Sequence, residues 1–299
     1  MIIGTYQNGN YTTAIYSDGT RIRTTEADEF VPDFAECMDV QISSKCDNRC
    51  PWCYAGCTPD GQIANLRAYE PLFATVHPYT EFAINMNFPL SDDFDWFLSY
   101  MRERRVIVNA TVAQTDFIAH KDEIGYYTDN KFIHGIGVSL MDSGNKRFLA
   151  LAPKFPNLVV HVIAGIFTEH DLDRLANRDL KLLILGYKHT GRGFGYAVDH
   201  NEDVERNIQW AHDNVKQIVD GFKAVSFDNL ALEQLEMRRF MTDAEWNEFY
   251  SGGEGEFTYY IDLVNGTFAM NSLNPPIGAI DDKTADEMFQ IVRERRQVC

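Results

Sequence analysis

Seven short apolar runs along the chain are separated by amphipathic or polar stretches of helical length. A strand, a helix and another strand repeated in this way predict parallel β/α units, because a parallel strand needs a long crossover from its neighbour. Six or seven such units suit a complete or partial barrel better than a two-layer sandwich. The runs cover residues 38–43, 81–86, 105–112, 133–140, 157–166, 180–186 and 222–227. We therefore predict an α/β fold, a partial (β/α)6 TIM-like barrel.

The segments on either side of these runs have a different pattern. Residues 1–36 form a β-rich lead-in, with a hairpin predicted around Asp18-Gly19. Residues 37–230 hold the barrel, and residues 231–299 form a C-terminal extension that packs on it. In the extension, Asn265-Gly266 is typical of a type I′ hairpin, and a helix with early acidic residues and late arginines follows. We predict one main domain with N-terminal hairpin and C-terminal hairpin and helix additions.

The net charge bears on the partners. The 299 residues include 44 acidic and 27 basic ones, a net charge of −17. This charge repels phosphate, so nucleic acid and anionic membrane are unfavourable partners. The sequence holds no apolar run of transmembrane length, and its first residues lack the pattern of a secretory signal. We expect a cytoplasmic protein whose thiols stay reduced unless they bind metal or take part in chemistry.

The cysteines are the most informative residues. Four of the six lie within residues 46–57, directly after the first predicted barrel strand. The carboxyl end of a barrel strand is the catalytic face of such a fold. Soft thiolates select zinc, copper(I) or an iron–sulfur cluster, and structural zinc sites usually have two separated ligand pairs. Here Cys46, Cys50 and Cys53 are spaced C-x3-C-x2-C, with no second pair downstream. A non-catalytic zinc or cluster site remains the alternative.

This pattern resembles the signature of the radical S-adenosylmethionine (SAM) superfamily, C-x3-C-x-aromatic-C, with Trp52 at the aromatic position. The arrangement also resembles compact, functionally unassigned radical SAM proteins of phage and bacterial genomes. The resemblance implies that Cys46, Cys50 and Cys53 bind a [4Fe–4S] cluster whose fourth iron chelates SAM. An external one-electron reductant such as flavodoxin or ferredoxin would reduce the cluster. SAM would then be cleaved to methionine and a 5′-deoxyadenosyl radical, which abstracts hydrogen from the substrate.

The resemblance also implies SAM-binding positions at the ends of later strands. Met86 and Asn87, ahead of Pro89, would stand where the family has its Gly-Gly-Glu-Pro-like motif, whose backbone receives the SAM amino group. Ser139 would contact the ribose, and Ile163 and Trp52 the adenine. The glycines of the motif are absent here, so backbone atoms would do this work.

The sixth strand leads into a segment rich in glycine and cations, residues 186–193. Glycine lets backbone approach a ligand closely, and an arginine fork suits a carboxylate. We expect Gly186, Tyr187 and Arg192 to contact SAM, with Arg192 on its carboxylate or on an anionic substrate group.

A further set of residues is predicted to serve the substrate or a radical relay. Cys57 is interpreted as an ordinary thiol, because a fourth cysteine ligand would close the iron that SAM needs. Asn229 is also a candidate helix N-cap, and Gly252-Gly253-Glu254 is interpreted as a surface turn. Cys37 and the terminal Cys299 are isolated thiols. The set comprises Cys57, Tyr54, His189, Asp228 and Asn229.

The substrate stays open at this point. A peptide or protein and a small metabolite or nucleotide are about equally favoured, and the exposed edge of a hairpin suits a peptide added as a strand. No individual residue is assigned as catalytic.

Overall fold

A computed structural model describes residues 1–250 and 252–296, so Cys299 lies outside the described residues. The strands are β1 (Ile2–Asn8), β2 (Tyr11–Tyr16), β3 (Arg21–Thr24), β4 (Cys37–Gln41), β5 (Glu81–Asn85), β6 (Ile107–Ala113), β7 (Gly135–Ser139), β8 (Leu158–Ile163), β9 (Lys181–Leu185), β10 (Ala224–Phe227), β11 (Thr258–Asp262), β12 (Thr267–Ala269) and β13 (Gly278–Ala279).

The helices lie mainly between these strands. They are α1 (Glu70–Phe73), α2 (Phe94–Glu103), α3 (Gln114–Ala119), α4 (Lys121–Asp129), α5 (Lys146–Leu151), α6 (Glu169–Leu175), α7 (Arg192–Asp199), α8 (Asn201–Asp213), α9 (Val215–Asp220), α10 (Asn229–Gln234), α11 (Asp243–Phe249) and α12 (Ala285–Arg296). Short 3₁₀ turns cover Leu66–Tyr69, Ala152–Lys154 and Met237–Phe240. Among the described residues, no helix combines the length and the apolar character needed to span a bilayer.

The main sheet has the strand order β10-β9-β8-β7-β6-β5-β4-β11-β12-β13. Strands β4 to β10 are mutually parallel and match the seven predicted apolar runs, which confirms the α/β fold class. Residues 37–230 thus contain seven parallel strands, one more than the six strands of the predicted partial (β/α)6 barrel. On its other side, β4 pairs in parallel with β11 of the C-terminal segment. Since β10 and β13 stand at opposite ends of the order, the described strands do not close into a barrel by pairing.

Alternate side chains of the parallel strands meet different surroundings. In β4, β5, β8 and β9 one set is buried and the other is at least partly exposed. The buried set, such as Val40 and Ile84, shares one apolar core with helix residues such as Phe97 and Phe117. Because strand side chains alternate between faces, the partly exposed set lines the opposite, concave face. We call this space the lumen.

A buried ion-pair network joins the N-terminal sheet to the start of the main sheet. Strands β1, β2 and β3 form a separate antiparallel sheet, in which the predicted hairpin at Asp18-Gly19 is confirmed. Arg21 and Arg23 reach the fully buried carboxylate of Glu36 at 3.0 and 2.7 Å. Arg21 also contacts Glu81 at 3.4 Å. The arginines therefore tie the lead-in to the amino ends of β4 and β5.

Two local predictions are corrected by the structure. The hairpin at Asn265-Gly266 has a four-residue connection between β11 and β12, and only Gly266 takes a positive φ, so it is not a two-residue type I′ turn. The Asp262 carboxylate accepts hydrogen bonds from the Val264 and Asn265 backbone amides and stabilises this longer turn. Residues 201–222, one of the stretches of helical length between the apolar runs, would suit a single helix, but the structure interrupts it at Asn214, which separates α8 from α9.

We predict that Glu36→Gln destabilises the protein by about 3–5 kcal/mol at neutral pH, because it removes the buried carboxylate that Arg21 and Arg23 share. Burial favours the neutral acid, but Arg23 and Arg21 outweigh this and hold the pKa of Glu36 below its ordinary value. A group with a depressed pKa contributes stability that is lost on acidification. The difference between variant and wild type should therefore narrow as the pH falls below the ordinary value of 4.5. Urea unfolding measures both effects.

The matched control is Glu26→Gln, which changes an exposed carboxylate in the same lead-in. Equal unfolding free energies for the two variants would contradict a stabilising role for the network.

Candidate functional site

The cysteine loop, residues 42–65, leaves the carboxyl end of β4 and is closed at its base by backbone hydrogen bonds. The Ala64 amide donates to the Ile42 carbonyl at 2.9 Å, and the Cys46 amide donates to the Thr58 carbonyl at 2.9 Å. The Asn85 side chain, at the end of β5, accepts from the Ile42 amide at 2.8 Å and donates to the Ser43 carbonyl at 2.6 Å. The loop is thus fixed to the carboxyl edge of the parallel sheet, as the sequence predicted.

The four thiols of the loop are free, and they differ in exposure. Cys46, Cys50 and Cys53 are half-buried, whereas Cys57 is buried. In the described part of the chain, no three His, Cys, Asp or Glu side chains converge as ligands of a single metal ion. A [4Fe–4S] cluster makes a different demand, since each thiolate binds its own iron at a corner of a cube. Three accessible thiols on one short loop fit that donor set.

The charges in the loop favour a thiolate at Cys53. A hydrogen bond from the Cys57 thiol, with a smaller contribution from the Arg192 guanidinium, lowers the pKa of Cys53 to about 5. The same hydrogen bond raises the pKa of Cys57, because the Cys57 proton is the one that is shared. Burial raises the pKa of the Cys50 thiol. Cys57 thus supports its neighbour as a protonated donor.

Asn48 is a site residue that the sequence reasoning missed. Its side-chain amide contacts the Cys46 sulfur at 3.5 Å and donates to the Asp116 carboxylate of α3 at 2.8 Å. The Thr115 hydroxyl donates to the Asn48 carbonyl. Asn48 lies between two cysteines of the motif, but its partners follow the third parallel strand. Only the fold brings them together.

Three predicted cofactor residues meet beside α7. Trp52 packs edge-on against Tyr196 of α7, with ring centroids 5.7 Å apart. Trp52 and Ile163 join a small apolar cluster around the buried Tyr187. The Tyr187 hydroxyl donates to the Gly193 carbonyl at 2.7 Å, so its polar end is already satisfied. The proposed contacts of Trp52, Ile163 and Tyr187 with SAM stay predictions.

Arg192 contacts the cysteine loop itself. Its Nε donates to the Cys50 carbonyl at 2.9 Å, and its Nη1 donates to the Cys57 carbonyl at 2.7 Å. The guanidinium therefore lies between the Cys50 and Cys57 carbonyls of the cysteine loop. Binding of the SAM carboxylate by Arg192 is not tested by these contacts and stays a prediction.

The predicted SAM-binding residues at the ends of the second and fourth parallel strands differ in burial. Met86 is fully buried in the main core, and its amide donates to the Thr111 carbonyl at 2.7 Å. Asn87 is half-buried and its side-chain amide is 3.5 Å from the Ser43 carbonyl. Ser139 ends β7, is half-buried and is opposite His161 in the parallel register. Burial lowers the pKa of His161 to about 4, so its imidazole is neutral near pH 7.

The residues after β9 and β10 pack against one another. Asp228 is the N-cap of α10 and accepts from the Ala231 amide at 2.8 Å, which corrects the expectation that Asn229 caps this helix. Asp228 also accepts from the Gly186 amide at 2.8 Å. A Cβ on Gly186 would lie 2.4 Å from the Leu230 side chain, so α10 itself requires the glycine.

Asn229 makes a contact that the sequence did not suggest. Its side-chain amide donates to the Glu254 carboxylate at 3.0 Å. Gly252, Gly253 and Glu254, interpreted as a surface turn, are half-buried and lead into a turn that contacts Asn229. A cleft of about 500 Å³ opens here, lined in part by Arg239 and Trp246.

Charged and aromatic side chains project into the lumen below the loop. Lys188 stands 4.2 Å from the centre of the Tyr54 ring and donates to the Ser272 hydroxyl at 3.2 Å. Asp39, in the middle of β4, is open to the lumen but surrounded by protein on its other sides. His189 is exposed, with its ring 4.9 Å from that of Tyr187.

We predict that Asp39→Asn stabilises the protein above neutral pH. Burial, with a smaller contribution from nearby carboxylates against Lys188, raises the pKa of Asp39 to about 6. A carboxyl whose pKa is raised on folding costs stability as the pH rises through that value. The gain in melting temperature should be largest near about pH 7.5 and shrink toward about pH 4. Asp92→Asn, at an exposed carboxylate, is the control. A gain independent of pH would contradict the prediction.

No family model and no curated protein matches the sequence. Solved structures do match. The chain is similar to SuiB of Streptococcus suis, with a TM-score of 0.61 at 12% identity over 97% of this chain and 86% of SuiB. It is also similar to SuiB bound to S-adenosylmethionine, with a TM-score of 0.58 at 14% identity over 87% of this chain. It spans 66% of that second chain, slightly less than two thirds.

A second protein shows the same likeness. The structure of anSMEcpe with bound AdoMet and the Cp18Cys peptide matches with a TM-score of 0.54 at 12% identity, over 86% of this chain and 82% of that one. SuiB and anSMEcpe have each been solved with S-adenosylmethionine bound. The chain thus shares the fold of these two proteins.

Proposed function

We propose that the protein is a radical SAM enzyme. The observation that carries the proposal is the position of the C-x3-C-x2-C thiols. They lie half-exposed on one loop, at the carboxyl edge of a half-barrel whose fold is similar to that of SAM-bound enzymes. Cys46, Cys50 and Cys53 would hold a [4Fe–4S] cluster. The buried Cys57 would stay a protonated thiol that donates to Cys53.

Bound cluster and SAM together would supply the 5′-deoxyadenosyl radical, which takes a hydrogen atom from the substrate. The chain itself would position these groups and keep water away, as proteins do for cofactor chemistry. Asn48 would orient the Cys46 thiolate through its hydrogen bond. Asn85 would fix where the loop leaves β4. Asn87 would offer backbone atoms, and Ser139 a hydroxyl, to SAM on the lumen side.

For the substrate, we favour a peptide or protein over a small molecule. Support comes from anSMEcpe, a protein of similar fold that was solved with a peptide bound. A separate cleft beside Asn229 and Glu254 offers aromatic and cationic side chains, which suit an extended ligand. A small metabolite remains the second candidate, because the lumen presents isolated polar groups such as Asp39 and Lys188.

The proposed partners are SAM and an external one-electron reductant such as flavodoxin or ferredoxin. Because the cluster ligands must be reduced thiolates, the reducing cytoplasm remains the expected location. Tyr54, His189, Asp228 and Asn229 stay candidates for substrate contact or radical relay, with Asp228 already engaged as a helix cap.

We predict that anaerobic reconstitution loads about four irons per chain and that dithionite with SAM then yields 5′-deoxyadenosine. Replacing Cys46, Cys50 and Cys53 together by alanine should abolish iron binding and product, because alanine supplies no ligand. Cys57→Ala should retain the cluster. Cys37→Ala, at the opposite end of β4, is the matched control and should behave as wild type. Iron assay, absorption spectra and chromatography measure these outcomes.

Two results would contradict the proposal. A colourless protein that binds zinc through the same cysteines would favour a structural metal site. A stable cluster with no SAM cleavage would favour a non-catalytic cluster protein. Loss of the cluster in Cys57→Ala alone would overturn the three-cysteine assignment.

A further inference from the structure

Arg192 reaches the backbone of three different cysteines. Its amide donates to the Cys53 carbonyl at 3.0 Å, while its side chain donates to the carbonyls of Cys50 and Cys57 at 2.9 and 2.7 Å. These carbonyls are spread over eight residues of the loop. One residue thereby fixes the separation of the two later motif cysteines and of the cysteine that follows them.

The segment that presents Arg192 fits the loop closely. Gly191 has a φ of +55°, and a Cβ there would lie 2.3 Å from the Tyr54 carbonyl oxygen and 2.7 Å from that of Cys53. A Cβ on Gly193 would lie 2.6 Å from the Lys188 carbonyl oxygen and 3.3 Å from that of Trp52. Both glycines are therefore required for this approach of two backbones.

Hydrogen bonds from α10 and from Tyr187 fix the same segment, residues 187–193. The Tyr187 amide donates to the Gln234 side chain at 2.8 Å, and the Gln234 amide returns a bond to the Tyr187 carbonyl at 3.0 Å. The buried Tyr187 hydroxyl donates to the Gly193 carbonyl at 2.7 Å. Arg192 is thus presented by a rigid segment rather than by a free loop.

The chemistry of the contact requires arginine. Two carbonyls seven residues apart receive donors from one planar, permanently charged guanidinium, whose nitrogens keep a fixed separation. A lysine offers a single ammonium centre on a flexible stem and cannot reproduce that separation. Hydrogen bonds from a charged donor are also stronger than neutral ones.

We infer that Arg192 is a positioning residue that sets the shape of the cysteine loop before the cluster is inserted. It holds Cys50 and Cys53 in the relative placement from which their thiolates receive iron. The inference rests on the proposed function for the identity of the group that the loop takes. The ordering of the loop itself is a property of the protein without cluster.

The test compares wild type, Arg192→Lys and Arg192→Ala as full-length protein. Hydrogen–deuterium exchange on the cluster-free forms should show amides of residues 46–57 exchanging about ten- to a hundredfold faster in Arg192→Ala, since the charged hydrogen bonds that order the loop are lost. Arg192→Lys should restore only part of the protection. Unchanged exchange in β6 and α2 shows that the variants are folded. Arg206→Ala, at an exposed arginine of α8, is the matched control.

Reconstitution then reports on the cluster. Arg192→Ala should incorporate less than half the iron of wild type, and its reduced cluster should show a broadened, shifted electron paramagnetic resonance spectrum. Wild-type loop protection and a wild-type spectrum in Arg192→Ala, with only SAM affinity reduced, would overturn the inference and favour direct SAM binding by Arg192. Failure of wild type to bind a cluster would contradict the proposed function instead, and the exchange data distinguish the two results.

Discussion

The parallel hydrogen-bonded ladders on both sides of β4 are the constraint on which the rest of the structure depends. One side pairs with β5 and the other with β11, which comes from a segment more than 200 residues later in the sequence. A strand fixed on both sides cannot shift its register without exchanging its buried and lumen faces. The register therefore decides that Met38 and Val40 enter the core and that Asp39 enters the lumen. It also decides where Gln41 ends the strand and the cysteine loop begins.

The polar character of the lumen follows from the same alternation. Every lumen position is one residue away from a core position, so apolar core residues and lumen residues alternate along each strand. Positions such as Asp39, Asn109 and His161 would be costly in a packed interior, because buried polar groups need partners. Here the sheet does not close among the described strands; Asp39 is exposed, and Asn109 and His161 are half-buried. At the amino ends of β4 and β5, the ion pairs of Glu36 with Arg21 and Arg23 and the contact of Arg21 with Glu81 connect the lead-in to the main sheet.

The sequence was sufficient for features that repeat or that lie close together in the chain. The seven parallel strands follow from apolar runs between helical stretches, and the cysteine loop follows from its place after the first run. Contacts between distant segments carry no such signal. Neither the pairing of β11 with β4 nor the bond from Asn48 to Asp116 can be inferred from spacing. The cap of α10 was assigned one residue too late because aspartate and asparagine are both good caps and stand side by side. The glycines after β9 were expected to admit a ligand, yet Gly186 and Gly191 admit other parts of the chain.

The cysteine loop is held by three elements that approach it from different directions. Asn85, at the end of β5, grips the point where the loop leaves β4. Asn48 connects Cys46 to Asp116 of α3. Arg192, at the start of α7, binds the carbonyls of Cys50 and Cys57 in the later part of the loop. These elements lie at the ends of the second, third and sixth parallel strands, so their spacing is set by the order of the strands in the sheet. A loop anchored in this way takes its shape from the sheet rather than from its own short sequence. Its twelve-residue cysteine segment has two glycine- or proline-containing turns and no regular secondary structure, so the motif alone could not hold three thiols in place. The parallel sheet therefore supplies the rigidity of the loop, which is why three cysteines within the eight residues 46–53 are informative in this fold and weak evidence outside it.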